Sequence, residues 1–339
     1  MIMAVNAPVN QSDDPRAQSI VNDFAFSVAT PNGSGSQTSN NVLVKSLFHM
    51  GIPVNGKNLF PSNIKGLPTW YTIRVSKEGY VARRHTTEII VAYNQDTVTE
   101  DIANTPPGGV VIYRNDLQIG KERDDIIYYE VPVRTIMRQV DVPRQFKDRM
   151  ENMTYVGVVA QLFDIPLDVI RQSLTENFKG KEKVVESNMR VVQAAFDYAA
   201  ENLEKRDPYH FAEMNATAGK ILITGNEAAA LGSIFGGVHL VAWYPITPST
   251  SLVDGIRQFQ YLRRDDETGR NTLAIVQAED ELAAAGMITG AGFGGIRAMT
   301  ATSGPGISLM AEFAGLAYFA EIPCVFWNIT RMGPSTGLP

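Results

Sequence analysis

The sequence predicts an α/β protein in two domains, the second a parallel sheet covered by helices on both faces. Three observations predict it. From residue 220 onward, short apolar runs alternate with helix-like runs, the order that crossover connections impose on parallel strands. Glycine or proline turns punctuate the junctions at 31–35, 244–248 and 303–306. The 339 residues are 44% hydrophobic and only 19% charged, enough apolar material for two cores.

Residues 1–20 are polar and read as a flexible tail. The first domain spans 21–205. Phe24 to Ala29 is a strand that runs into Pro31-Asn32-Gly33-Ser34-Gly35-Ser36. A helix follows, with Val42, Leu43, Leu47, Phe48 and Met50 on its inner side. Thr69 to Val75, Glu88 to Tyr93, Val110 to Tyr113 and Ile126 to Val131 are further strands. Val185, Met189, Val192, Phe196, Ala199 and Leu203 recur at helical spacing, which predicts one amphipathic helix. Asp207-Pro208, Asn215 and Gly219 break both periods, so 206–219 reads as a linker. The second domain, 220–339, offers strands at Ile221 to Thr224, Val238 to Trp243, Leu273 to Gln277, Ile296 to Thr302 and Ile322 to Ile329. One long helix is expected between Gly304 and Glu321. The last residues, Arg331 to Pro339, have loop composition directly after an apolar strand. The expectation is therefore a sequence cut from a longer polypeptide.

Composition excludes several classes. A net charge of −6, a pI near 5.4 and no basic stripe argue against nucleic acid. A single cysteine, Cys324, allows no internal disulfide and no cysteine-ligated metal, and it reads as a buried strand residue. His49, His85, His210 and His239 lack ligand spacing, so no metal site is expected. No charged segment precedes an apolar one at the start, and no apolar run is long enough to span a bilayer. The chain reads as cytoplasmic, without a membrane partner.

The chemistry concentrates at strand ends. Tyr244-Pro245-Ile246-Thr247-Pro248 is a stiff turn, because each proline fixes φ and lacks an N–H. It holds Thr247 at a strand's C-terminal edge, where open parallel sheets bind ligands; a Pro-bracketed connection without chemistry is the bland alternative. Gly33-Ser34-Gly35-Ser36 is either a tight turn or a phosphate contact. Glu279-Asp280-Glu281 suits a helix N-terminus, and capping explains one or two of the three. The run after Glu281 is unusually small: Ala283 to Gly286, then Gly290, Gly292, Gly294 and Gly295. Glycine opposes helix formation, so close approach of a backbone or a flat ligand is the better reason. Thr302-Ser303-Gly304-Pro305-Gly306 closes another strand, with Pro305 suited to a first helical turn.

An acidic residue opening an Ala/Gly-rich helix, then a strand ending in Thr302-Ser-Gly-Pro-Gly306, resembles the pyrimidine-binding domain of thiamine diphosphate enzymes. Together with Tyr244 to Pro248, Arg331-Met-Gly-Pro-Ser-Thr-Gly337 and Gly225-Asn226-Glu227-Ala-Ala-Ala-Leu-Gly232, it resembles the α subunit of the 2-oxoacid:ferredoxin oxidoreductases. The resemblance runs from Gly225 to Pro339. Residues 22 to about 205 look like the family's γ domain, fused ahead of α as in the 2-oxoglutarate-type members. In place of the usual glycine-rich opening this chain has Asn32-Gly-Ser-Gly-Ser-Gln37. The implied fold is a γ-type α/β domain followed by a pyrimidine-binding domain.

The resemblance implies coenzyme A-dependent oxidative decarboxylation of a 2-oxoacid, 2-oxoglutarate first, with electrons passing to ferredoxin; the reverse carboxylation uses the same groups. Glu281 becomes the carboxylate that activates the cofactor's pyrimidine, with Glu279 the runner-up. Thr247 binds the substrate carboxylate or carbonyl. Arg331 pairs with that carboxylate through two parallel donors. Tyr244, Pro245 and Ile246 line the substrate. Thr302, Ser303 and Gly304 contact thiamine diphosphate, and Gly33, Gly35, Ser36 and Lys65 contact coenzyme A. No Gly-Asp-Gly run and no cysteine set occurs here, so Mg2+, diphosphate and [4Fe-4S] clusters are expected on a β subunit, in a dimer of αβ units. Other readings are the same chemistry on pyruvate or branched-chain 2-oxoacids, a self-sufficient thiamine decarboxylase or synthase, and a non-catalytic nucleotide- or coenzyme A-binding scaffold.

Overall fold

The computed structural model describes residues 19–59, 67–120, 123–142 and 146–331. They fall into two compact units that part between Ile221 and Leu222.

In the first unit, the elements run β1 (Ile20–Val21), β2 (Ala25–Pro31), α1 (Ser36–His49), β3 (Val54–Leu59), β4 (Pro68–Val75), β5 (Ile89–Ala92), α2 (Val98–Asn104), β6 (Val110–Arg114) and β7 (Ile127–Val131). Then come α3 (Val133–Gln139), α4 (Lys147–Met150), α5 (Met153–Leu162), α6 (Leu167–Asn177), α7 (Glu182–Asn202) and β8 (Tyr209–His210). A six-stranded sheet has the order β3-β4-β2-β5-β6-β7. β2, β5, β6 and β7 pair in parallel, while β4 runs antiparallel to both β2 and β3.

Alternation along β2 assigns the faces, since successive side chains point opposite ways. Phe26 and Val28 join a core with Leu43 and Leu47 of α1, Val156 and Val159 of α5 and Val192 of α7. On the other face Ile90 and Ala92 of β5 meet Val98 and Ile102 of α2. Gly157 lets α5 and α7 touch: a Cβ there would lie 2.2 Å from the Val192 carbonyl oxygen. The edge strand β3, Val-Asn-Gly-Lys-Asn-Leu, carries little apolar signal and was not expected. Its Gly56 leaves room for the Tyr71 ring, whose hydroxyl would lie 2.4 Å from an added Cβ. The 206–219 stretch packs on this unit. Tyr209 and Phe211 are buried against Phe24, and β8 pairs with β1.

In the second unit, α8 (Gly225–Phe235), β9 (Leu240–Trp243), α9 (Thr250–Phe259), β10 (Ala274–Gln277), α10 (Glu281–Phe293), β11 (Ala298–Thr302), α11 (Gly304–Leu309), α12 (Ala311–Phe319) and β12 (Val325–Asn328) follow in order. The sheet order is β10-β9-β11-β12, and every pair is parallel. Val241, Trp243, Met299 and Ala301 pack with Ala230 and Ile234 of α8 and Leu252, Val253 and Ile256 of α9. Ala242 and Ala298 face the other way, onto Ala284, Ala285 and Ile288 of α10. The expected helix-covered parallel sheet is present.

Three expectations fail locally. Ile221 to Thr224 is not a strand, and Ile221 is 69% exposed; Gly225 and the Thr224 cap already commit this stretch to the start of α8. The expected single helix after Gly304 is two, broken at Met310. The Met310 side chain is buried in the α10-side core at the break. Cys324 is half-buried and precedes β12 rather than lying within it. Burial raises its thiol pKa. No helix among the described residues is long and apolar enough to cross a membrane.

Candidate functional site

Because all four strands of the second unit run the same way, the loops after β9, β10, β11 and β12 leave from one edge. Thr247, Glu281, Ser303 and Arg331 follow β9, β10, β11 and β12, and Thr302 is the last residue of β11. That edge is where parallel sheets gather ligand-binding groups.

The carboxylate after β10 is built with care. Asp280 is the helix cap: its Oδ1 accepts from the Ala283 N–H at 2.7 Å. Capping thus falls to Asp280, and Glu279 is exposed. Glu281, at the first helical position, is only 9% exposed. It turns toward the start of α11. A Cβ on Gly306 would sit 3.1 Å from Glu281 Cγ and 1.8 Å from Thr302 Oγ1, so glycine is required where these two side chains meet. The Thr302 hydroxyl is buried and has no hydrogen-bond partner among the described residues, and neither has Thr300 two residues earlier on the same face. Buried polar groups without partners are costly and uncommon. A bound polar ligand would satisfy them. Small residues also serve packing here. A Cβ on Gly292 would lie 2.6 Å from the Pro323 carbonyl oxygen, and one on Gly286 would lie 3.1 Å from the Phe313 ring.

The turn after β9 is fixed from behind. Asn226, one residue into α8, donates from Nδ2 to the Pro248 carbonyl at 3.1 Å and to Ser251 Oγ at 2.6 Å. Thr224 and Glu227 form a capping box that sets this helix end. Thr247 itself is exposed, Pro245 is exposed, Ile246 is half-buried and Tyr244 is 37% exposed. Trp243 is buried, and the Arg257 guanidinium lies 5.3 Å from its ring centroid. Arg331 is half-buried. Two residues before it, the Ile329 N–H donates to the Thr302 carbonyl at 2.9 Å, which ties the ends of β11 and β12 together. Ser303 is fully buried and Gly304 half-buried at the start of α11.

The structure therefore brings Glu281, Thr302 and Gly306 into contact range and puts Thr247 and Arg331 on the loops after β9 and β12, the two strands that flank β11. Gly306 and Thr300 were not among the expected site residues. The Thr-Ser-Gly-Pro-Gly spacing held the signal for Gly306; nothing in the sequence singled out Thr300. Asn226 could have been found from the Thr224-x-x-Glu227 capping box beside it.

Gly33, Gly35 and Ser36 lie in the first unit. Gly33 and Gly35 adopt φ of 83° and 88°, left-handed values that favour glycine. The Ser36 hydroxyl accepts from Thr30 Oγ1 at 2.7 Å, and Asn152 Nδ2 donates to the Ser34 carbonyl at 2.9 Å. The start of α1 has no side-chain cap, and the Thr38 N–H turns back to the Gly35 carbonyl at 3.3 Å. Lys65 lies outside the described residues, as do 332–339. Among the described residues no three His, Cys, Asp or Glu side chains group as metal ligands.

Comparison with known proteins adds two family matches. Residues 25–198 match the family described as pyruvate ferredoxin/flavodoxin oxidoreductase. Residues 231–339 match that described as pyruvate flavodoxin/ferredoxin oxidoreductase, thiamine diphosphate-binding. The α subunit of 2-oxoacid:ferredoxin oxidoreductase 2 from Aeropyrum pernix is 26% identical over 94% of this chain and 56% of its own length. The 2-oxoglutarate synthase subunit KorA of Methanocaldococcus jannaschii is 45% identical over 34% of this chain and 29% of its own. The solved 2-oxoglutarate:ferredoxin oxidoreductase of Magnetococcus marinus, with 2-oxoglutarate, coenzyme A and succinyl-CoA bound, superposes with a TM-score of 0.80 at 30% identity. That match covers 94% of this chain and 54% of the other. The chain spans about half the length of these full-coverage relatives.

Proposed function

Since the chain belongs to the pyruvate ferredoxin/flavodoxin oxidoreductase family, we propose that it is the α-type subunit, with a fused γ-type domain, of a 2-oxoacid:ferredoxin oxidoreductase that converts 2-oxoglutarate to succinyl-CoA. The observation that carries this reading is the meeting of Glu281, Thr302 and Gly306 within the stretch similar to thiamine diphosphate-binding domains. The donor set fits the aminopyrimidine end of that cofactor: one nearly buried carboxyl, two unpartnered hydroxyls and a glycine floor.

Thiamine diphosphate, when bound, supplies the electron sink for decarboxylation. The chain's own groups do the rest. The Glu281 carboxyl holds a proton at the pyrimidine ring nitrogen, and Thr302 supplies a hydroxyl beside it. The Thr247 hydroxyl donates to the substrate. Arg331 offers two parallel N–H groups to the 2-oxoacid carboxylate. Asn226 keeps the Thr247 turn in register through the Pro248 carbonyl. Mg2+, the diphosphate ligands and the [4Fe-4S] clusters belong to a β subunit, which passes electrons to ferredoxin. The γ-type domain serves coenzyme A.

The test is reconstitution with the partner subunit and a panel of 2-oxoacids, with coenzyme A and a viologen acceptor. 2-Oxoglutarate should give the highest kcat/KM, with succinyl-CoA as product. A preference for pyruvate or a branched-chain acid would overturn the substrate assignment. No turnover with any acid would overturn the activity.

A further inference from the structure

A cavity of about 390 Å3 opens in the first unit between the first turns of α1 and α7 and the helices α4 and α5. Its interior is apolar, lined by Met150, Met153, Phe178 and Val184. Methionine adapts its shape to a flexible chain. The volume is at the small end of the range for ligand sites, about 300–1,000 Å3, and the apolar lining suits a short chain.

The charge around it has one sign. Arg149 and Lys183 line the cavity and are exposed, and neither side chain is paired among the described residues. Among the described residues no acidic side chain lines it. Glu182, next to Lys183, is not part of the lining and lies 3.9 Å from Arg171 instead. Gly35, the uncapped N-cap of α1, also borders the space, and the start of α7 has no side-chain cap either. Both helix ends carry positive partial charge. A third feature lies inside. Asn188 is 3% exposed and donates from Nδ2 to the Val184 carbonyl at 2.8 Å. Its amide oxygen has no partner among the described residues and can accept from a ligand.

We infer that this cavity binds an organic anion carrying a short apolar chain, with the carboxylate or phosphate at Arg149 and Lys183 and the chain among Met150, Met153, Phe178 and Val184. A free carboxylate on a short alkyl chain has this chemistry. The inference stands apart from the thiamine site, because no residue proposed for thiamine or the 2-oxoacid lines the cavity.

Calorimetric titration of the full chain with its partner subunit tests it, using octanoate, neutral 1-octanol and coenzyme A as probes. Octanoate should bind at least tenfold more tightly than octanol. Arg149→Glu with Lys183→Glu should weaken octanoate at least tenfold, and Val184→Trp should abolish its binding. Displacement of octanoate by coenzyme A would overturn the assignment to a free chain carboxylate; independent binding would support it. Octanoate no tighter than octanol would overturn the site, as would an unchanged affinity in the charge-reversed variant, which alters only surface positions and serves if Val184→Trp does not fold. The readout is binding, so turnover retained alongside its loss would leave the thiamine reading standing.

Discussion

The α-hydrogen of Gly306 faces the Thr302 hydroxyl so closely that a methyl group in its place would lie 1.8 Å from Oγ1. No side-chain rotation of Gly306 exists to relieve this, and Glu281 Cγ closes the other side at 3.1 Å. The first turn of α11 and the first residue of α10 are thereby locked to a common spacing.

Gly306→Ala should therefore push Thr302 or Glu281 out of place. Thiamine diphosphate affinity and turnover are expected to fall at least tenfold, an effect on the order of 1.4 kcal/mol, with little change in far-UV circular dichroism. Adding Thr302→Ala to that variant removes the clashing oxygen and should restore part of the affinity. Wild-type cofactor binding in Gly306→Ala would refute the arrangement.

Glu281→Gln keeps the shape of the side chain and removes its acid–base character. Steady-state turnover should drop by about 10²- to 10⁴-fold, the usual contribution of a positioned acid–base group. Glu279→Gln, on an exposed side chain, should leave kcat within about twofold, because surface changes away from a site have small effects. The reverse ranking would move the catalytic role to Glu279.

Asp101 gives a pH dependence. It is 6% exposed, and burial raises its carboxyl pKa despite the bond from Trp70 Nε1 at 2.9 Å. A raised folded-state pKa means that the folded protein holds the proton longer than the unfolded chain does. Stability is then greatest below the unfolded carboxylate pKa of about 3.9, and is lost as pH rises through the folded value. Asp101→Asn retains an acceptor for Trp70 and removes this loss. Urea unfolding should find it more stable than wild type at neutral pH, with a flatter profile across the acid range. A variant less stable than wild type at neutral pH would contradict this.

Tyr155 is fully buried and donates to Asn40 Oδ1 at 2.8 Å, across the helices α5 and α1. Tyr155→Phe strands that acceptor. The cost should be about 1–3 kcal/mol, read as a fall in melting temperature of about 2–4 °C for each kcal/mol. An unchanged melting point would mean that Asn40 finds another donor.

Strand periodicity made the second unit's sheet legible, because β9 and β11 are flanked on both faces and each reads as an apolar run closed by a turn. Thr302 could be placed for the same reason, since it closes the β11 run, whereas Glu281 was placed by the Ala- and Gly-rich helix that it opens after β10. The β3 edge strand was not, since Asn55, Gly56, Lys57 and Asn58 carry no apolar alternation and the strand owes its place to pairing with β4. The break at Met310 was hidden because nothing in Leu309-Met310-Ala311 opposes a helix. Thr300 carried no sequence signal, since a lone threonine in a strand is ordinary and only its burial without a partner marks it.

Phe211 stacks on Phe24 at 4.9 Å between ring centroids, and the Met214 N–H donates to the Met50 carbonyl at 2.8 Å. Gly51 is held at φ of 76°, where a side chain would meet the Met214 carbonyl oxygen at 1.8 Å. The tract after α7 is thus a strap across the sheet's first strand and the end of α1. Anyone excising the amino-terminal half at residue 205 would strip away that strap and leave the Phe24 ring in water; a truncation point after Lys220 would keep it.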